Sequence, residues 1–156
     1  MLPYFHRCAL VILSSILNTS TAHAEGTLCT PKEVALWSCS TESKSFSLCA
    51  SKNLGNNTGY IQYRASESGR LTFTYPANKQ HPKGVFKVYQ SNRFATFEFS
   101  NGKFSYRITD QLVGPTTIYI EKEKKALSEF ECITPAVPSL LDNESLRLFS
   151  LAGVIQ

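Results

Sequence analysis

The chain is poor in the residues from which active sites are most often built. It has 3 histidines in 156 residues. His6 and His23 fall in a leader-like N-terminal stretch, which leaves His81, beside Pro82 in a Lys/Pro/Gly loop. Aspartate occurs only at Asp110 and Asp142. A Ser–His–acid triad needs a histidine beside its nucleophile. No G-x-S-x-G elbow, P-loop, Rossmann fingerprint or metal-ligand motif is present. A non-enzyme is therefore expected, with no catalytic residue, no cofactor and no metal. A glycosidase pair of carboxylates would have to be drawn from glutamates that sit mostly at turns or on outer faces, and Glu98 has a charge partner in Arg107. Gly 8 and Pro 7 are too few for a collagen-like or low-complexity chain. Charged residues make up only 18% and the net charge of +4 is unclustered, which argues against a nucleic-acid partner. The 42% of hydrophobic residues are enough for a folded core.

Long apolar runs are missing too. The stretch from Cys8 to Leu17 has 10 residues, against the roughly 20 that span a bilayer. With His6-Arg7 before it and Ala22-His23-Ala24 after it, it reads as a secretory signal peptide over residues 1–24. The expected product is a single β domain over 25–156, in the periplasm or secreted, without a membrane span.

What the chain does have is cysteine. Cys29, Cys39, Cys49 and Cys132 follow the leader. In an exported chain four cysteines predict two disulfides. Zinc is the rival, but close C-x-x-C pairs are absent. Of the three pairings possible, each joins Cys132 to one of the three N-terminal cysteines. One bridge must therefore close a loop of more than ~80 residues, worth roughly 4–5 kcal/mol in the chain-entropy model. The end of the chain must lie beside its first hairpin.

Between the cysteines runs a series of strands. Asn101-Gly102 separates two alternating runs, a strong hairpin signal. A two-residue turn there pairs Phe99 with Phe104, Phe97 with Tyr106 and Ala95 with Ile108. It leaves Thr96, Glu98, Ser105 and Arg107 on the other face, with Glu98 and Arg107 diagonal. A second hairpin spans Thr116 to Ile133. A three-residue loop centred on Lys125 places Ile118, Ile120, Phe130 and Cys132 on one face and Tyr119, Glu129 and Glu131 on the other. A third spans Val34 to Ser51. Val34, Leu36, Phe46, Leu48 and Ala50 share one face and Trp37, Cys39 and Cys49 the other, so both faces are covered. Tyr60–Ala65, Leu71–Tyr75 and Val85–Gln90 read as single strands. Asp142–Ala152 reads as a short helix with Ser139 and Asp142 as candidate caps. The expected fold is mainly β: an antiparallel sandwich or small open barrel of about nine short strands, disulfide-bonded, with a short C-terminal helix.

Several short pieces recur as a set: Cys29, Leu36-Trp37-Ser38-Cys39, Lys44, Ser47-Leu48-Cys49-Ala50-Ser51, Gly59-Tyr60-Ile61-Gln62-Tyr63-Arg64, Phe99-Ser100-Asn101-Gly102 and Cys132. In these the chain resembles a family of small, mostly uncharacterised exported bacterial proteins. Their pattern is Cys, Phe-Ser-Cys, Lys, Ser-x-Cys-Ala-Ser and Gly-Tyr-Leu-Gln-Tyr-Arg. It departs after Arg64, where Ala65-Ser66 replaces the usual Phe-Gly. The resemblance implies an exported, disulfide-bonded β protein and carries no activity.

Binding remains as the expected function. Alternation puts Tyr60, Gln62 and Arg64 on one face of one strand, and Tyr and Arg are enriched at interface hot spots. Arg93 and Arg107, with Tyr75 and Tyr89, are further candidates. The expected role is an inhibitor or immunity protein that covers a hydrolase or toxin in the cell envelope, acting as a monomer or small homo-oligomer. A carbohydrate or cell-wall binding module is the alternative, and a small hydrolase with an unrecognised site the second.

Overall fold

The structure is a computed structural model and describes residues 26–133 and 135–156. The expected signal peptide over 1–24, with Cys8, lies outside the described residues.

The chain forms two antiparallel meanders. The first sheet takes β1 (Glu33–Ser40), β2 (Lys44–Ser51), β3 (Ile61–Glu67) and β4 (Arg70–Tyr75) in that order. The second takes β5 (Phe86–Gln90), β6 (Phe94–Asn101), β7 (Phe104–Gln111), β8 (Thr117–Lys122) and β9 (Lys125–Glu131). A helix, α1 (Asn143–Leu151), follows. The sheets face each other in a sandwich-like arrangement, which decides between the two architectures expected. Their shared core is aromatic: Tyr63 of β3 lies 5.2 Å from Phe99 of β6. Tyr75 stacks on Phe99 at 4.8 Å and Phe46 meets Phe130 at 5.6 Å.

Local sequence fixes the turns. Gly102 adopts φ +60° and Lys103 does not share it, the pattern of a type II′ turn with glycine first. The two-residue turn is thus Gly102-Lys103, not Asn101-Gly102. Phe99 pairs with Tyr106, Phe97 with Ile108 and Ala95 with Asp110. A shift by two partners leaves every side chain on its expected face, and it brings Glu98 directly opposite Arg107. The next hairpin turns at Glu123-Lys124, both at positive φ, so the three-residue loop centred on Lys125 is not formed. Phe130 pairs with Ile118 where that loop would have set it opposite Ile120, and both stay on the face expected.

The first hairpin departs further. A bulge between Ala35 and Trp37 makes Leu36 the extra residue, so Trp37 pairs with Leu48 and Cys39 with Phe46. Trp37 and Cys39 therefore join the core face, and only Cys49 stays on the outer face. This separates the cysteines by side. Cys39 reaches Cys132 across the sandwich, and Cys49 takes Cys29 on the outside.

The end of the chain covers two sheet edges. Val137 donates to the Ser38 carbonyl and Ser38 to that of Pro138 (3.2 and 3.1 Å), along β1. Val88 donates to the Val154 carbonyl and Gln156 to that of Val88, both at 2.9 Å, along β5. Between these contacts α1 packs Phe149 against Phe97 at 5.8 Å. It ends in a Schellman motif, in which Gly153 at φ +66° donates to Ser150 and Val154 to Phe149. Asp142 stands at the N-cap but makes no side-chain cap bond. Its carboxylate accepts instead from the Ser139 amide at 2.8 Å. Among the described residues no helix is long and apolar enough to cross a membrane.

Candidate functional site

Tyr60, Gln62 and Arg64 do share one face, the outer face of the four-stranded sheet, but that face is not open. Residues 27–33 lie across it, held by the Cys29–Cys49 bridge and by the Leu28 amide, which donates to Ser47 Oγ at 2.9 Å. Arg64 is 8% exposed and Gln62 4%. Both guanidinium Nη atoms of Arg64 donate to the Glu33 carboxylate at 2.7 Å, and Nη2 also donates to Gln62 Oε1 at 2.9 Å. Gln62 Nε2 donates to the Pro76 carbonyl at 2.9 Å, and the half-buried Tyr60 hydroxyl donates to Glu33 at 2.7 Å. The open binding face expected there is corrected to a saturated structural network. The charges need partners because they are buried, and they have them. Burial by itself pushes the Glu33 carboxyl up. Hydrogen bonds from Arg64, Thr30 and Tyr60 outweigh it and bring the group from 4.5 to about 2.

Other buried polar groups are equally committed. Asp110, 4% exposed, accepts from Thr116 Oγ1 and Ser139 Oγ at 2.6 Å and from the Leu140 amide at 2.8 Å. His81 Nε2 donates to the Gly55 carbonyl at 2.9 Å. Trp37 is the exception: its fully buried Nε1 has no acceptor among the described residues.

The open face belongs to the five-stranded sheet, on the opposite side of the sandwich. Register sets Lys87, Glu98, Arg107, Tyr119 and Glu129 in one cross-strand row, and Tyr89, Thr96, Thr109, Thr117 and Glu131 in the next. Thr96 and Thr117 are buried, and with Tyr89 and Tyr119 they line an open trough across this face. Its two ends differ. The hairpin end is a hollow of about 550 Å³ lined by Lys87, Glu98, Ser100, Arg107, Tyr119 and Glu121 among others. There the Arg107 guanidinium lies 5.2 Å from the Tyr119 ring centre and 3.6 Å from Glu121. Tyr106 borders the hollow, with its phenol raised above 10.0 by burial.

The other end is apolar. Phe94 is 41% exposed, Leu112 68% and Val113 85%. The Leu112 amide donates to the Arg93 carbonyl at 2.9 Å, so the β7–β8 loop stands beside the β5–β6 turn. That turn is tied by Ser91 Oγ, which accepts from the Arg93 and Phe94 amides. The loop is clamped at its base by Thr116 on Asp110. Tyr89 and Arg93, both exposed, flank the tip. At about 3.3 Å per residue, Phe94 and Ser100 stand roughly 20 Å apart along β6.

Of the expected binding residues, Arg93 and Arg107 therefore lie on one accessible face and the other three do not. Phe94, Leu112 and Val113 escaped the sequence reading. The one signal for them was an apolar Leu-Val pair set in a Gly-Pro loop, where polar residues are the rule. Fold and face together define a disulfide-bonded β-sandwich with one exposed, partly apolar sheet face. No protein-family model, curated protein or solved structure matches the chain.

Proposed function

We propose that the protein is a non-catalytic binding protein of the cell envelope, an inhibitor or immunity protein that covers a hydrolase or toxin by docking the Leu112-Val113 tip onto it. The observation that carries this reading is the exposure of Leu112 and Val113 on a clamped loop that stands beside the exposed Phe94 at the start of β6. Contiguous exposed apolar residues on a rigid support mark interaction sites, whereas single ones do not. Tyr89 and Arg93 at the rim are of the types that dominate interface energetics. The two disulfides fit an oxidising compartment.

The test is affinity capture from an envelope extract with the wild type and with Leu112→Asp/Val113→Asp. The variant should melt like the wild type, because both side chains are solvated, and should retain no partner. A double variant that captures the same partner at full yield places the interface elsewhere.

A further inference from the structure

Glu98 is singular. Among the described residues, every other buried or half-buried charged side chain is engaged: Glu33 with Arg64, Lys44 with Glu67, Glu121 with Arg107, Asp110 with three donors, His81 with Gly55. Glu98 is half-buried on the floor of the trough and has neither an ion pair nor a hydrogen bond. Arg107 faces it across the β6–β7 ladder and makes no hydrogen bond, its contacts being the 3.6 Å approach to Glu121 and the Tyr119 ring at 5.2 Å. A carboxylate can only accept and a guanidinium can only donate. A ligand that satisfies both must bring donors and acceptors side by side. Hydroxyls on adjacent carbons do so, each being donor and acceptor at once.

The rest of the hollow fits the same chemistry. Lys87 and Arg107 balance Glu98 and Glu121, so the lining selects for neither an anion nor a cation. The Tyr119 ring, already carrying the Arg107 guanidinium, offers an aromatic wall for the C–H face of a sugar ring. Ser100 and Ser105, both exposed, also line the hollow. A volume of about 550 Å³ is within the usual range for small-molecule sites. We infer that this hollow binds a neutral sugar residue of a glycan, with Glu98 accepting from and Arg107 donating to neighbouring hydroxyls. The site is distinct from the apolar tip and does not depend on the protein-docking reading.

The experiment is an NMR titration of the full chain with neutral oligosaccharides of glucose, mannose and N-acetylglucosamine. An oligogalacturonate and a capped triglycine amide serve as controls, and retention on insoluble cell-wall sacculi is measured in parallel. At least one neutral oligosaccharide should shift the Arg107 side-chain N–H and the Tyr119 ring signals. Glu98→Gln should weaken it about tenfold or more, as expected for loss of a charge-assisted bond, while Leu112→Asp/Val113→Asp leaves it unchanged. Arg107→Gln is the second variant if Glu98→Gln does not fold. Retention on sacculi that is lost in Glu98→Gln identifies a wall glycan as the source, and binding of soluble sugar without retention identifies a free one. The inference is overturned if no neutral sugar binds, if only the charged sugar or the peptide amide does, if the shifts fall at Phe94 and Leu112, or if Glu98→Gln binds like the wild type.

Discussion

At the level of single residues, two Glu–Arg couples differ in kind: one is a buried ion pair and the other is not paired at all. Glu33 and Arg64 are buried and mutually saturated, and Lys79 approaches Glu33 at 3.8 Å from the solvent side. Glu98 and Arg107 stand opposite one another without pairing: Glu98 has no partner among the described residues, while Arg107 approaches Glu121 at 3.6 Å. The first pair therefore belongs to stability. Glu33→Gln strands the Arg64 charge and should cost about 3–5 kcal/mol at pH 7, the range for breaking one side of a buried pair. The Glu33 carboxyl is held at about 2, below its ordinary 4.5. A depressed pKa stabilises the folded state fully above the unfolded value, and the contribution is lost as pH falls through the folded value. In urea titrations the gap between wild type and Glu33→Gln should be constant above pH 5 and shrink steadily towards pH 2. A gap that widens on acidification would contradict this assignment.

At the level of elements, what was legible in the sequence depended on whether one face of a strand was polar. In β6 and β7 the alternation of Phe97 and Phe99 with Thr96 and Glu98 fixed the faces, although the turn itself sat one residue later than Asn101-Gly102 implied. In β1 both faces are buried, so the pattern held no register information and the Leu36 bulge left no trace. The covering of Tyr60, Gln62 and Arg64 was hidden for another reason. Alternation reports which side a residue takes, but not that a segment 31–36 residues away in the chain closes over it. Turn chemistry, by contrast, is local and can be tested locally. Nothing lies within 4 Å of a Cβ built on Gly102, so Gly102→Val probes backbone strain alone. With φ at +60° it should cost more than about 1 kcal/mol by thermal or denaturant melting. Gly102→Asn, which tolerates positive φ, should cost less. Equal melting of the two would show that strain at this position is not what holds the turn.

For the whole molecule, the two disulfides have separate tasks. Cys39–Cys132 closes a sequence separation of 93 and joins the two sheets. Cys29–Cys49 closes only 20 and pins the N-terminal segment over the polar outer face. Loss of a native bridge in a small domain costs about 2–5 kcal/mol and more for longer loops. Removing Cys39 and Cys132 together should therefore lower stability more than removing Cys29 and Cys49 together. The sheet edges are closed as well. β1 and β5 are covered by the end of the chain, β4 is bulged at Thr72, and β9 is bulged at Leu127 and lined with Lys125, Glu129 and Glu131. Such devices discourage strand-to-strand association, and the proposed docking reading places recognition instead on the outer face of the five-stranded sheet and its Leu112-Val113 tip. Hydrogen exchange of the protein bound to its captured partner tests that claim most directly. The account predicts new protection at residues 91–94 and 111–115, with residues 60–64 as protected in the free protein as in the complex. Protection gained at 60–64, with the 111–115 loop exchanging as freely as before, would contradict it.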